Sequence, residues 1–289
     1  VIEVDQSLSF NRALVEKYDR PGPRYTSYPT APQFHQAFAL DDYHAAAQAS
    51  NQAAVPKALS LYIHIPFCKS LCYYCACNKI ITQKTHRAVE YLNYLKREIA
   101  MQAALFDRTR TLRQLHLGGG TPTYLTREQL AELMDCLHQA FNLDDSDEHE
   151  FSIEVDPRTI STEQIEHLRQ LGFNRLSFGV QDFDPDVQAA VNRQQSEEQI
   201  YALVAAAREA KFKSVSVDLI YGLPLQTVAS FDVTLSKIIA LRPDRIAAYS
   251  YAHLPELVRA QRLIRREDMP PPERKMELLE LTISRLTAA

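Results

Sequence analysis

An α/β fold with a parallel sheet is predicted for this chain by three observations. Six short, mostly apolar stretches, at 59–65, 112–118, 150–155, 174–180, 214–220 and 245–251, are bounded by loop residues and read as strands. The gaps between them carry helical patterns, several with apolar residues at i, i+3, i+4 and i+7, the period of one buried face. Strand and helix alternate, which implies parallel strands joined by right-handed crossovers. Such sheets place their chemistry at the C-terminal ends of the strands.

The composition is that of a globular chain: 289 residues, 46% hydrophobic, 24% charged, net charge −4. That charge gives no general attraction to nucleic acid or to an anionic membrane. No apolar run approaches the roughly 20 residues that span a bilayer. Val1-Ile2-Glu3-Val4-Asp5 lacks the basic and apolar regions of a signal peptide. Neither a nucleic-acid partner nor a membrane span is expected. Four of the five cysteines lie within ten residues of one another. Without an export signal, such clustering favours a metal site in a reducing cytoplasm over disulfides. Cys136, alone in a helical pattern, reads as a buried core residue.

Residues 1–58 show no regular repeat. Arg20 to Pro32 contains four prolines, resists helix and is expected to run extended. It sets Arg24 beside Tyr25 and Tyr28. An arginine fork suits a carboxylate and aromatic faces suit a flat ring, so the arm reads as a surface strap or as a substrate lid.

The helices follow in order. Ala88, Tyr91, Leu92, Leu95 and Ile99 form one stripe, and Leu130, Leu133, Met134, Leu137 and Phe141 a second. Phe231, Leu235, Ile238 and Ile239 form another, closed by Arg242-Pro243. Thr126 with Gln129, Ser161 with Gln164 and Ser196 with Gln199 have the spacing of reciprocal capping boxes. A last helix is expected to open at Pro270-Pro271-Pro272 and to carry Met276, Leu279, Ile283 and Leu286 on one side.

The first strand runs into Cys68, Cys72 and Cys75, spaced C-x3-C-x2-C, with Cys77 just beyond. Thiolates are soft ligands for zinc and iron–sulfur clusters. A closed zinc site usually takes four ligands in two separated pairs, and no second pair follows here. Three thiolates on a four-iron cluster leave one iron open; a zinc knuckle or a group of buried thiols is the alternative. Gly118-Gly119-Gly120-Thr121-Pro122-Thr123 follows the second strand and holds three of the seven glycines. Glycine lets the backbone approach a ligand closely, although this loop lacks the Lys-Ser/Thr of a nucleotide P-loop. Glu154 sits in an otherwise apolar strand, where a carboxylate is costly unless bonded. It is either a bond to a neighbouring backbone or a ligand contact. Gln181, Arg193 and Asp218 fall at or beyond the ends of later strands, where each is a surface residue or part of a site. His253, after the sixth strand, reads first as structural.

The cysteine spacing, with Tyr74 just before the third cysteine, resembles that of the radical S-adenosylmethionine (SAM) enzymes. Lys17-Tyr18 and Gly22-Pro23-Arg24-Tyr25-Thr26-Ser27-Tyr28-Pro29-Thr30 closely resemble the N-terminal segment of the oxygen-independent coproporphyrinogen III oxidases. These are radical SAM enzymes of haem biosynthesis. Related haem chaperones generally lack both this segment and the C-x-C ending that Cys77 supplies here. The glycine loop, Ile153-Glu154-Val155-Asp156-Pro157, Gly179-Val180-Gln181-Asp182-Phe183 and Asn192-Arg193 resemble further elements of the family, and the likeness covers residues 11–289.

The resemblance implies a partial (β/α)6 barrel over residues 59–289, with residues 1–58 as an N-terminal extended arm or substrate lid. It implies a mostly helical C-terminal domain as well, which a chain ending at Ala289 is expected to lack. Cys68, Cys72 and Cys75 would bind a [4Fe-4S] cluster whose open iron is chelated by SAM. Tyr62 and Tyr74 would flank SAM, and Gly119 and Glu154 would contact it. Gly120, Thr121, Gln181, Arg193, Asp218 and Ala252 would surround a second SAM. The implied activity is that of an oxidoreductase acting on coproporphyrinogen III. A 5′-deoxyadenosyl radical removes hydrogen β to a propionate carboxylate, and loss of CO2 and one electron leaves a vinyl group. Two propionates react in turn, giving protoporphyrinogen IX, with an unidentified electron donor and a monomeric protein expected. The cluster and SAM carry the chemistry, so no side chain is assigned as catalytic. A non-catalytic haem-binding or haem-delivery protein on the same barrel is the rival reading. Cys77 would tune the cluster, ligate it when SAM is absent, or stand by.

Overall fold

A computed structural model describes residues 10–19, 28–146 and 148–289. Six strands form the main sheet: β1 (Leu59–Ile65), β2 (Thr111–Gly119), β3 (Glu150–Val155), β4 (Arg175–Gln181), β5 (Ser214–Tyr221) and β6 (Arg245–Ser250). They lie in sequence order, each parallel to the next. Among the described residues β1 and β6 are its edges and do not pair with each other, so the barrel is partial. A two-residue strand, Asn142–Leu143, adds to the start of β2.

β3 and β4 alternate throughout and β1, β2 and β5 over part of their length, and the alternation separates two environments. Ile63, Ile65, Leu115, Leu117, Phe151, Ile153, Leu176, Phe178, Val215 and Val217 are buried against the crossover helices. The other face carries His64, His116, Ser152, Glu154, Ser177 and Asp218, all only partly buried. The core therefore lies outside the curved sheet, and the concave side is left for polar chemistry.

The crossover helices are α3 (His86–Ala103), α4 (Arg127–Ala140), α5 (Thr162–Gln170), α7 (Glu197–Glu209) and α8 (Val228–Leu241), with a short α6 (Pro185–Ala190) before α7. Ala88, Leu92, Leu95 and Ile99 of α3 and Leu130, Leu133, Met134 and Leu137 of α4 are buried as their spacing predicts. Each large apolar side chain so removed from water contributes about 1.5–3 kcal/mol. Thr126 and Gln129 form the predicted reciprocal cap at 3.2 and 3.0 Å. Gln164 returns a bond to the Ser161 N–H at 2.9 Å. Ser196 accepts the Gln199 N–H at 3.1 Å, but its hydroxyl turns to Glu198 at 2.7 Å.

Three expectations need correction. The last helix, α9 (Pro272–Thr287), opens at the prolines as expected and buries Leu278 and Thr282, with Leu281 and the expected Leu286 packed partly buried against the core, while Met276, Leu279 and Ile283 are only partly covered. It carries two apolar stripes, and the one that meets α8 wins. Cys136 is half-buried at the edge of the core, not inside it. Within residues 1–58 the chain is not extended throughout. It forms α1 (Arg12–Tyr18) and α2 (Leu40–Asn51), and α2 opens on Asp42 accepting the Ala39 N–H at 2.8 Å. Arg110 ties the end of α2 to the barrel through Ser50 at 2.9 Å, Asn51 at 2.8 Å and the Lys57 carbonyl at 3.0 Å. Arg24 and Tyr25 of the arm lie outside the described residues, and Tyr28 is 86% exposed.

Candidate cofactor site

The C-terminal ends of the strands surround a cavity of about 540 Å3. Its first wall is the cysteine loop. Phe67–Cys68 pairs with Ile80–Ile81, closing the loop at its base with bonds of 2.7 Å (Ile80 N–H to Pro66 carbonyl) and 3.0 Å (Thr82 N–H to Cys68 carbonyl). Three side chains then fix its course. His64 of β1 bonds the Asn78 carbonyl through Nε2 at 2.8 Å and the Tyr62 hydroxyl through Nδ1 at 2.9 Å. Lys79 Nζ donates to the Cys75 carbonyl at 2.7 Å. Buried Gln261 donates to the carbonyls of Tyr74 and Ala252, both at 3.0 Å, and so stitches the loop to the exit of β6. Cys68, Cys72, Cys75 and Cys77 all face the cavity, and Cys72 is 7% exposed.

The glycine loop forms the second wall, and sterics explain its composition. A Cβ on Gly120 would stand 2.7 Å from the Pro66 carbonyl oxygen and 2.9 Å from Cys68 Sγ. Gly119 has φ +119° and would meet His64 and the Ile65 carbonyl at 2.9 Å. The Gly120 N–H donates to the Ile65 carbonyl at 2.8 Å, locking the two loops together. The Thr121 hydroxyl donates to Cys68 Sγ at 3.5 Å.

Glu154 accepts the Gly119 N–H at 3.1 Å and lies 3.4 Å from His116 Nε2. It thus makes a backbone bond while still facing the cavity. Beyond it Asp156 holds Arg158 through Nε at 2.9 Å and Nη2 at 2.7 Å, and Arg193 Nη1 lies 3.4 Å away. Both guanidinium groups reach Cys72 Sγ, Arg158 at 3.4 Å and Arg193 at 3.5 Å. Burial alone would raise the Asp156 pKa, but Arg193 and Arg158 outweigh it and hold the carboxyl below its ordinary range. Arg193 also donates to the Gly179 carbonyl at 2.6 Å. A Cβ on Gly179 would lie 2.8 Å from that guanidinium.

The thiols differ in their environments. A hydrogen bond with Cys77 holds Cys75 down to about 5, against the effect of burial, with Lys79 assisting. The same bond and burial push Cys77 up. Burial pushes Cys68 up, with the Thr121 hydroxyl opposing. Asp218 accepts from the Ser177 hydroxyl at 3.3 Å, and burial and then the Glu154 charge lift it to about 6.

The cavity wall brings together Cys68, Cys72, Cys75, Tyr74, Gly119, Gly120, Thr121, Glu154, Gln181, Arg193, Asp218 and Ala252. Gln181 stands there at φ 69°, at an irregularity in the β4–β5 pairing. Tyr62 is not on that wall. It is 54% exposed, stacked on His116 with centroids 5.7 Å apart. His253 bonds the Tyr251 hydroxyl at 3.1 Å, a structural contact as its position suggests. Sequence reading missed Arg158, Gln261, Lys79 and the His64 bridge. Asp156-Pro157-Arg158 directly after a strand was a usable signal. Gln261 offered none, since its partner Tyr74 is 187 residues away.

Residues 62–238 match the pattern of the Radical SAM superfamily. The chain belongs to the radical SAM superfamily. Its cofactors are accordingly S-adenosylmethionine and a [4Fe-4S] cluster. An oxygen-independent coproporphyrinogen III oxidase of Pseudomonas aeruginosa is 48% identical over 283 residues, covering 98% of this chain and 61% of the relative. The Escherichia coli protein of that name is 49% identical over 285 residues, covering 98% and 60%. A solved structure described as coproporphyrinogen III oxidase (HemN) from Escherichia coli, a radical SAM enzyme, superposes with a TM-score of 0.88 at 48% identity. It covers 97% of this chain and 61% of that one. The chain thus spans about 61% of the length of these relatives.

The radical SAM cofactors fit the residues present. Among the described residues no three ligating side chains converge on a point for a single ion. Three thiols instead share one wall of a wide cavity, as a cluster of several irons requires. The side chain missing at Gly120 lets its backbone lie directly against Cys68. Among the described residues no helix is long and apolar enough to cross a membrane.

Proposed function

We propose that the chain carries the barrel of an oxygen-independent coproporphyrinogen III oxidase, converting two propionates of coproporphyrinogen III to vinyl groups. The observation that carries this reading is the 48–49% identity to proteins of that name over 98% of the chain. Cys68, Cys72 and Cys75 are the cluster ligands in this reading. When bound, the cluster and SAM supply the radical chemistry that removes hydrogen from the substrate. The protein's part is to bind, orient and exclude water. Gly119 and Glu154 take the polar end of one SAM, with Tyr74 beside it. Gly120, Thr121, Gln181, Arg193, Asp218 and Ala252 form the wall of a second position. Arg24, Tyr25 and Tyr28 belong to a substrate arm over residues 1–58, with the barrel at 59–289. The protein works in the cytoplasm as a monomer and draws electrons from a separate donor.

The test is anaerobic iron–sulfur reconstitution, reduction, and incubation with SAM and coproporphyrinogen III. Chromatography should find both 5′-deoxyadenosine and a vinyl-bearing porphyrin. Deoxyadenosine without vinyl product would reject this substrate for the chain. A chain that takes up no iron and makes neither product would reject the ligand assignment.

A further inference from the structure

We infer that Arg158 is a positioning residue that sets the reduction potential of the cluster through Cys72. The inference rests on the cofactor reading above, with Cys72 as a cluster ligand. The Arg158 guanidinium is held by three bonds to the Asp156 carboxylate, from Nε at 2.9 and 3.2 Å and from Nη2 at 2.7 Å, so its plane cannot swing toward a ligand carboxylate without breaking that fork. The bound Nη2 keeps a second N–H, and it points at Cys72 Sγ at 3.4 Å. The Arg158 side chain is 19% exposed and Asp156 is 9% exposed. The pair therefore acts where water screens little.

The three thiols are not equivalent in this respect. Cys72 Sγ has guanidinium groups from both Arg158 and Arg193, whereas Cys68 Sγ has the Thr121 hydroxyl at 3.5 Å. Arg193 is also engaged by the Gly179 carbonyl and lies on the wall proposed for a second SAM. Arg158 borders the same cavity, but among the described residues its side-chain hydrogen bonds go to Asp156 and Cys72, so its guanidinium is committed to that pair. Reduction adds one negative charge to the cluster. A cation and an N–H donor on a ligand sulfur stabilise that added charge and raise the potential. Arg158 makes the resting cluster easier to reduce by whatever donor serves the enzyme.

The experiment compares wild-type chain, Arg158→Gln and Arg158→Lys after anaerobic reconstitution. Iron and sulfide per chain are measured first, and then the midpoint potential by redox titration followed by electron paramagnetic resonance. Arg158→Gln is expected to load as wild type does and to show a more negative potential. Arg158→Lys, which keeps the charge but not the fork, should fall between. An Arg158→Gln cluster at the wild-type potential overturns the proposal and leaves the cofactor reading intact. If Arg158→Gln does not load, Arg158→Lys decides: a potential below wild type supports the proposal and an unchanged one overturns it. A wild-type chain that takes up no iron overturns both.

Discussion

Gly120 has no room for a side chain, because the Pro66 backbone and Cys68 Sγ already stand within 2.9 Å of where its Cβ would be. Backbone cannot yield as a flexible side chain can, so Gly120→Ala has to displace the cysteine loop, at a cost of about 1–3 kcal/mol. Iron bound per chain after reconstitution should fall several-fold in that variant while its far-ultraviolet circular dichroism is retained. Asp218 yields a pH-dependent prediction. Its carboxyl titrates near 6 in the folded chain, against an ordinary 3.8. The folded state thus holds the proton more tightly than the unfolded one, and stability falls as pH rises from about 4 to about 6. Asp218→Asn stays neutral and should be more stable than wild type above pH 6 by roughly 1–3 kcal/mol, with the gain vanishing below pH 4. Urea midpoints across that range check it, and a constant difference at all pH values would refute the assignment. The cysteines were legible because ligand chemistry demands nearby thiolates within one loop. The bond from Arg158 to Cys72 was not, because the two lie 86 residues apart, although Asp156-Pro157-Arg158 after a strand marked the place.

At the scale of elements, α9 separates periodicity from packing. Leu278 is fully buried, whereas Met276 and Leu279 are partly exposed. Leu278→Ala should cost about 2–5 kcal/mol, and Leu279→Ala well under half as much. Equal losses in chemical denaturation would show that the two stripes carry the helix alike and would refute the difference in packing. The strand boundaries agreed with the sequence to within a residue or two, because each apolar run ends where a loop residue or a charge begins. Helix α2 was not foreseen. It buries only Ala47 and is held instead by Arg110, a contact across 60 residues that no local pattern announces.

At the scale of the whole molecule, stability and chemistry occupy opposite faces of one sheet. The apolar core lies between the sheet and the helices, while the cysteines stand at the strand ends over a polar concave surface. Losing a ligand should therefore cost the cofactor and not the fold. Cys72→Ser is expected to elute and to show circular dichroism as wild type does, yet to lose the visible absorbance of the reconstituted cluster. Aggregation of that variant before reconstitution would count against the separation.

The sequence by itself determined the order and type of the barrel's elements, the three-thiolate loop and the glycine loop beside it. Those follow from local rules: side-chain period, turn residues and the ligand needs of one metal group. Tertiary structure alone decided which stripe of α9 is covered, that Tyr62 stacks on His116 and stays off the cavity wall, and that two arginines share Cys72. These are contacts between strands and loops far apart in the chain, and only the curling of the sheet brings those groups within a few ångströms.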